Sequence, residues 1–490
     1  MSAVPVPSVL RCTGCGYEAP ERAGWLARCP RADALPEVDH VLAVRLDHAR
    51  LTFPRGTEPN PFVRYRTLLR PYHLARAAGM SDEAFAALVA DLDRAVAAVD
   101  GRGFVVTPCA VQPALGARLG FVPPGGVWVK DETGNVSGSH KARHLMGLWL
   151  YLEVARRAGG GGPPAGAGLE GAGGDGRPEL AIASCGNAAL AAAVVARAAR
   201  WPLRVFVPTS ADPVVVERLH RLEARVVPCA REPGAPGDPT YLALRRAVAA
   251  GSLPFTCQGS DNGLTIEGGK TLGYELADTL ARAGVVPDRL FVQVGGGALA
   301  SAVVQGLEDA VALGVLPRLP RVHAVQPAGV QPLRRAYDRV AARALDGLDR
   351  QRDGASGAPE DARGDRARAD LLAAHPEAVE EALAYAVRHR RAFMWPWEET
   401  PRSVAHGIID DETYDWAAVV RAMLVTGGWP VAATEADLRE AHRLARETTG
   451  IPVDPTGSAG LAGLLRLRRE GAVGPQEQVV VLFTGVERGR

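Results

Sequence analysis

Apolar residues recur along the chain in two patterns. Short runs with little polar interruption, ELAIAS at 179–184, LRVFVP at 203–208, ARVVPC at 224–229, RLFVQV at 289–294, RVHAVQ at 321–326 and QVVVLFTG at 478–485, read as strands. Their apolar residues are continuous rather than alternating, so both faces of each strand are expected to be covered. Stretches with apolar residues three and four apart follow several of them: an alanine-rich run, VVVERLHRL at 214–222, YLALRRAVAA at 241–250 and ASAVVQGL at 300–307. This strand–helix rhythm predicts an α/β protein with doubly wound, mostly parallel sheets. A helix over 80–99 begins at the capping residue Ser81, a strand covers 126–130, and a further helix begins near His140.

Interruptions of the rhythm suggest segments. Residues 1–45 form an N-terminal piece, 46–140 a lead-in and the start of the catalytic domain, and 141–260 a smaller α/β segment. A larger α/β domain takes 261–333 and 393–490, with a charged insert over 334–392. The Gly-rich stretch 158–176 reads as a linker, and the middle of the insert, near 350–370, as solvated sequence within helical surroundings.

The net charge is +1, so no basic field argues for nucleic acid. No apolar run is long enough to span a bilayer, and the first ten residues lack a signal-peptide pattern, so a soluble cytoplasmic protein is expected. Seven cysteines in 490 residues do not make a disulfide scaffold. Lys and Arg together number 56, yet only Lys130, Lys141 and Lys270 are lysines. In a chain so biased toward arginine, a retained lysine points to chemistry that arginine cannot supply, above all imine formation.

Four stretches carry candidate chemistry. Ser137-Gly138-Ser139-His140-Lys141 lies at a loop-to-helix junction, where amides favour an anion and a lysine is desolvated. Ser184-Cys185-Gly186-Asn187 follows a strand, at the carboxyl edge where open α/β sheets bind ligands. Gly295-Gly296-Gly297-Ala298-Leu299 offers backbone amides to a phosphate, or simply a tight turn; it lacks the third glycine of a dinucleotide fingerprint. Thr484-Gly485 ends the last strand with a hydroxyl. Near the start, Cys12-Thr-Gly-Cys15 and Cys29 form a broken zinc-ribbon pattern, with Ala32 at the place of a fourth thiolate. Cys12, Cys15 and Cys29 are candidate zinc ligands, with Asp33 or His40 as a further donor; packing without metal is the alternative.

Taken in order, these motifs resemble the tryptophan-synthase-β-like (fold type II) pyridoxal-phosphate enzymes, most closely those of the threonine-synthase kind. The resemblance also rests on Asn60–Tyr65, Lys130-Asp131-Glu132, Gly134-Asn135, IEGGKTLGYEL at 266–276 and GIPVDPTGSAGLAGL at 450–464. It implies two domains with pyridoxal 5'-phosphate in the cleft between them, and a homodimer. It further implies a Schiff base on Lys141, which would also shuttle the α-proton. Asn187 would bond the cofactor's phenolic oxygen, Gly295 to Leu299 its phosphate, and Thr484 would face its ring nitrogen. Ser184, Cys185, Gly186 and Asn187 would flank the substrate carboxylate, and Asn262 is placed with the substrate. His140, which stands where tryptophan synthase β also has histidine, would touch the phosphate.

Departures bear on the substrate. Threonine synthases carry an arginine that grips a substrate phosphate where this chain has Thr265. Losing such a charge-assisted contact costs about 1.5–3 kcal/mol, which argues against O-phosphohomoserine. Lys130 and Lys270 are expected to be free for another anionic group. The implied activity is elimination or β-replacement on an amino acid through an aminoacrylate-type intermediate. Threonine synthase itself and a non-catalytic binding protein are the alternatives. Trp395 and Trp397 precede Pro401–Gly407, which resembles a family active-site segment, so the insert is either a lid or a surface elaboration.

Overall fold

The computed structural model describes residues 6–157, 177–231, 237–351 and 364–488, apart from 22 and 24. The Gly-rich stretch 158–176 and part of the insert, 352–363, lie outside the described residues.

Twelve strands are described: β1 (Ser8–Cys12), β2 (Leu42–Leu46), β3 (Cys109–Val111), β4 (Gly126–Asp131), β5 (Leu180–Ala183), β6 (Leu203–Pro208), β7 (Arg225–Cys229), β8 (Leu253–Pro254), β9 (Arg289–Gln293), β10 (Arg321–Pro327), β11 (Val431–Ala433) and β12 (Gln478–Phe483). They form three sheets. β1 and β2 pair antiparallel at the N-terminus. The larger main sheet runs β11-β10-β9-β12-β4-β3 and the smaller β7-β6-β5-β8. Every pairing in these two sheets is parallel except that of the edge strand β3 with β4. The expected doubly wound α/β architecture is thus present. Its continuous apolar runs have the expected cause: all five residues of β9 and five of the six in β12 are buried.

Ser81 caps the helix Asp82–Asp100 by accepting from the Ala84 amide, and Gly101 ends it in the left-handed conformation. The helices Lys141–Arg157 and Thr265–Arg282 cross at glycines. A methyl group on Gly147 would come within 2.7 Å of the Gly268 backbone.

The charged stretch from 334 to 392 is more integrated than its composition suggests. The helices Pro332–Gln351, Asp365–Ala373 and Pro376–Arg388 account for most of it. Tyr337, Val340, Leu372, Val379 and Ala386 are fully buried in the core that continues under β10. Charge alone did not reveal the apolar stripe on each helix. Among the described residues, no helix is long and apolar enough to cross a membrane.

Candidate functional site

Parallel neighbours place their carboxyl ends side by side. β9, β12 and β4 therefore bring together three loops: Gly295–Gly297 after β9, Thr484-Gly485 after β12, and 132–140 after β4. Backbone bonds hold the last two in register. The His140 amide donates to the Thr484 carbonyl at 3.2 Å, and the Val486 amide to the Gly138 carbonyl at 2.8 Å. Ser137 and Gly138 have φ of 55° and 68°, a left-handed pair that turns the chain sharply into the helix Lys141–Arg157.

Lys141 opens that helix, and its ammonium group has no hydrogen-bond or ion-pair partner among the described residues. Its surroundings hold several polar groups without partners. The Ser137 and Ser139 hydroxyls and His140 Nε2 are buried and unpaired. His140 Nδ1 lies 3.2 Å from the Thr484 carbonyl. Burial, and then the nearby Lys141 charge, hold this histidine well below its usual pKa. His144, one turn on, is pushed down to about 3 by the same two causes. Both imidazoles are therefore neutral at ordinary pH.

Thr484 is buried, and its hydroxyl oxygen accepts from Gln293 Nε2 at 2.5 Å, leaving its O–H available to donate. Opposite stands the small sheet. Ser184, Cys185 and Gly186 follow β5 and remain partly exposed, and Asn187 begins the helix Asn187–Ala198. Asn187 Oδ1 accepts from Arg488, and Asn187 bonds the Asp454 carboxylate. Its Nδ2 would stand 2.6 Å from a methyl group placed on Gly485, so the glycine is what lets the two lobes meet here. The sequence candidates Lys141, His140, Ser184 to Asn187, Gly295 to Leu299 and Thr484 are thus gathered at one group of strand ends.

Three other candidates are elsewhere engaged. Lys130 is fully buried and its ammonium lies 2.5 Å from Glu275, with the Thr107 carbonyl at 2.7 Å. Lys270 pairs with Asp309 at 2.9 Å and Glu267 at 3.1 Å. Asn262 is buried, donating to the Pro254 carbonyl and accepting from the Leu264 amide. These side chains are engaged by the protein's own groups, so Lys130 and Lys270 are not the free cations that were expected. Thr265, at the arginine position, is buried with an unpartnered hydroxyl.

Sequence reasoning missed two carboxylates. Asp410 lies against the glycine loop: a methyl group on Gly295 would fall 2.1 Å from Asp410 Oδ2. Burial pushes Asp410 up to about 6, against the pull of Lys141, while Asp238 and Asp411 raise it further. Asp415 accepts from the Gly259 amide at 3.2 Å and is driven by burial up to about 7. Their available signal was the acidic run Asp410-Asp411-Glu412 just after the Pro401–Gly407 segment. Trp397 donates its amide to the Asp411 carbonyl, and the Arg335 guanidinium stacks 3.9 Å over Trp395 and 4.9 Å over Trp397.

The donor set suits pyridoxal phosphate. The phosphate needs convergent amides, and the glycine loop already lies against a carboxyl oxygen, that of Asp410. The ring nitrogen needs a polar partner, which Thr484 offers; the aldehyde needs an unpaired amine, which Lys141 offers. Buried hydroxyls without partners at this one place are groups that a polar ligand would satisfy.

A family model described as "Pyridoxal-phosphate dependent enzyme" matches residues 102–393. The threonine synthase of Methanosarcina acetivorans is 25% identical over 77% of this chain and 74% of its own length. The cysteate synthase of Methanoculleus marisnigri is 28% identical over 62% of this chain and 60% of its own. Among solved structures, diaminopropionate ammonia lyase from Escherichia coli superposes with a TM-score of 0.53 at 15% identity, covering 81% of this chain and 88% of that one, a likeness of fold.

Proposed function

The chain belongs to the pyridoxal-phosphate-dependent enzymes, and from that premise we propose that it acts on an amino acid by β-elimination or β-replacement, with Lys141 as the cofactor-bearing residue. The observation that carries this reading is the contrast among three lysines. Lys130 and Lys270 are locked in buried ion pairs, and Lys141 alone has an unpaired ammonium, at the convergence of the strand ends.

Bound pyridoxal phosphate supplies an electron sink for the substrate's α-carbon. Lys141 Nζ would hold the cofactor and would serve as the base for the substrate's α-proton. His140 and the amides from Gly295 to Leu299 would hold the phosphate, and Asn187 would bond the phenolic oxygen. Thr484 would offer a neutral hydroxyl to the ring nitrogen. Unlike a carboxylate, it does not enforce protonation there, which favours prompt loss of a β-leaving group. Ser184 to Gly186 and the start of the following helix hold the substrate carboxylate.

The substrate's side chain carries no phosphate. In support, Thr265 replaces the expected arginine, the other two lysines are committed, and the acidic side chains Asp410 and Asp415 both feel the Lys141 charge. Acidic neighbours, whichever their protonation state, do not favour a dianionic β-substituent. The purified holoenzyme offered serine, threonine, 2,3-diaminopropionate and O-phosphohomoserine tests this. Keto acid and ammonia, or a new amino acid when a nucleophile is added, are expected from an unphosphorylated substrate at kcat/KM at least about tenfold above O-phosphohomoserine. A preference for O-phosphohomoserine would instead support threonine synthase, the reading favoured by the 25% identity to that enzyme.

A further inference from the structure

A second cluster of reactive side chains lies in the N-terminal piece and takes no part in the proposed reaction. Cys12 ends β1, Cys15 follows in the next turn, Cys29 returns from the succeeding loop, and His40 precedes β2. Their ligand atoms all lie within 4.8 Å of one another. Cys15 Sγ and Cys29 Sγ are 3.6 Å apart, and Cys12 Sγ and His40 Nδ1 are 3.4 Å apart.

These two edges are close to those of a metal tetrahedron. Zinc bonds of about 2.3 Å to sulfur and about 2.0–2.1 Å to nitrogen give S–S edges of about 3.8 Å and S–N edges of about 3.6 Å. A disulfide would need about 2.0 Å between sulfurs. His40 Nε2 lies 3.1 Å from the Leu35 carbonyl, and a proton on that nitrogen leaves Nδ1 as the free donor toward the sulfurs. Such an outer partner commonly orients a ligating imidazole. Asp33, the other candidate donor, is exposed and pairs with Arg28 at 3.0 Å. Gly14 makes the tight loop possible, since a methyl group there would fall 2.1 Å from the Asp39 carbonyl.

We propose that Cys12, Cys15, Cys29 and His40 bind one structural zinc ion that fixes the N-terminal piece against the catalytic body. Four protein ligands leave no open position, which marks the site as structural rather than catalytic. The residue before His40 links it toward the loop that carries Asp410 and Asp415. Asp39 donates its amide to the Val387 carbonyl, and its carboxylate accepts from Arg390 at 3.1 Å. Arg390 also pairs with Glu412, in the loop that carries Asp410 and Asp415.

The test is the metal content of the untagged full-length holoenzyme, measured by mass spectrometry after expression with added zinc. About one zinc per chain is expected; less than about a tenth of that in folded protein overturns the proposal. Replacing the metal with cobalt should give the strong visible absorption of a tetrahedral thiolate site, and a weak octahedral spectrum overturns the ligand set. Cys29→Ser and His40→Ala should each lower metal content about tenfold or more, as loss of a direct ligand requires. Should these variants fail to fold, the cobalt spectrum of the unaltered chain still decides the matter.

Discussion

Two neighbouring regions of the same lobe treat positive charge in opposite ways. Beneath the loop that follows β4, Lys130, Glu132, Arg143 and Glu275 form a neutral quartet whose side chains are wholly inaccessible to water. Arg143 bonds Glu132 at 2.7 Å and Glu275 at 2.6 Å, and the Asn135 amide donates to Glu132 at 2.8 Å. Two residues before Arg143, on the same helix, Lys141 has no partner and stands among hydroxyls that also lack one. The closed quartet fixes both ends of the loop from 132 to 141. With the scaffold saturated, the unsatisfied groups beside it remain open for a ligand.

The comparison breaks if disturbing the quartet is harmless. Glu275→Ala leaves two buried cations to share Glu132 alone and should lower stability by about 3–5 kcal/mol, as measured by urea denaturation. Lys141→Ala should stay within about 1 kcal/mol of the parent in the same measurement while abolishing turnover. Equal losses in the two variants would erase the distinction.

Thr484→Val removes a hydroxyl that the open region holds ready. Turnover should fall about tenfold with cofactor content unchanged, the size expected for one hydrogen bond at the reacting system. An unchanged rate would place Thr484 away from the ring nitrogen.

Asp410→Asn should tighten cofactor binding several-fold, because it removes a negative charge from the amides that take the phosphate. Fluorescence titration of the apoenzyme checks this; weaker binding would mean that Asp410 supports the cofactor through Lys141 instead.

The smallest effect concerns pH. Asp415 and Asp410 have folded-state values raised to about 7 and about 6, above an ordinary value of 3.8. The folded chain therefore binds more protons than the unfolded one between these limits. Their contribution to stability is greatest at low pH and is lost as pH rises through about 7. Melting temperature of the apoenzyme should drift down from about pH 5 to about pH 8, and Asp415→Asn should flatten the drift.

Much of this was legible in the sequence, for physical reasons that differ from residue to residue. The buried strands announced themselves because parallel strands must be apolar on both faces, and the Gly295–Gly297 loop because close backbone approach demands glycine. Lys130 and Lys270 misled because a buried, fully paired lysine and a free one look alike in a linear string. Only the fold reveals that Glu275 and Asp309 stand beside them. Asp410 and Asp415 were invisible for a related reason: their raised values come from burial, which no local pattern encodes. His40 was one of two possible fourth donors to the cysteines, and three-dimensional distance separated it from Asp33.

The central claim is that the unpaired lysine carries the cofactor. Purified protein should show a visible pyridoxal-phosphate band that bleaches with borohydride, and peptide mapping should find the pyridoxyl label on Lys141. A label on Lys130 or Lys270, or no band after pyridoxal phosphate is added, would contradict the account.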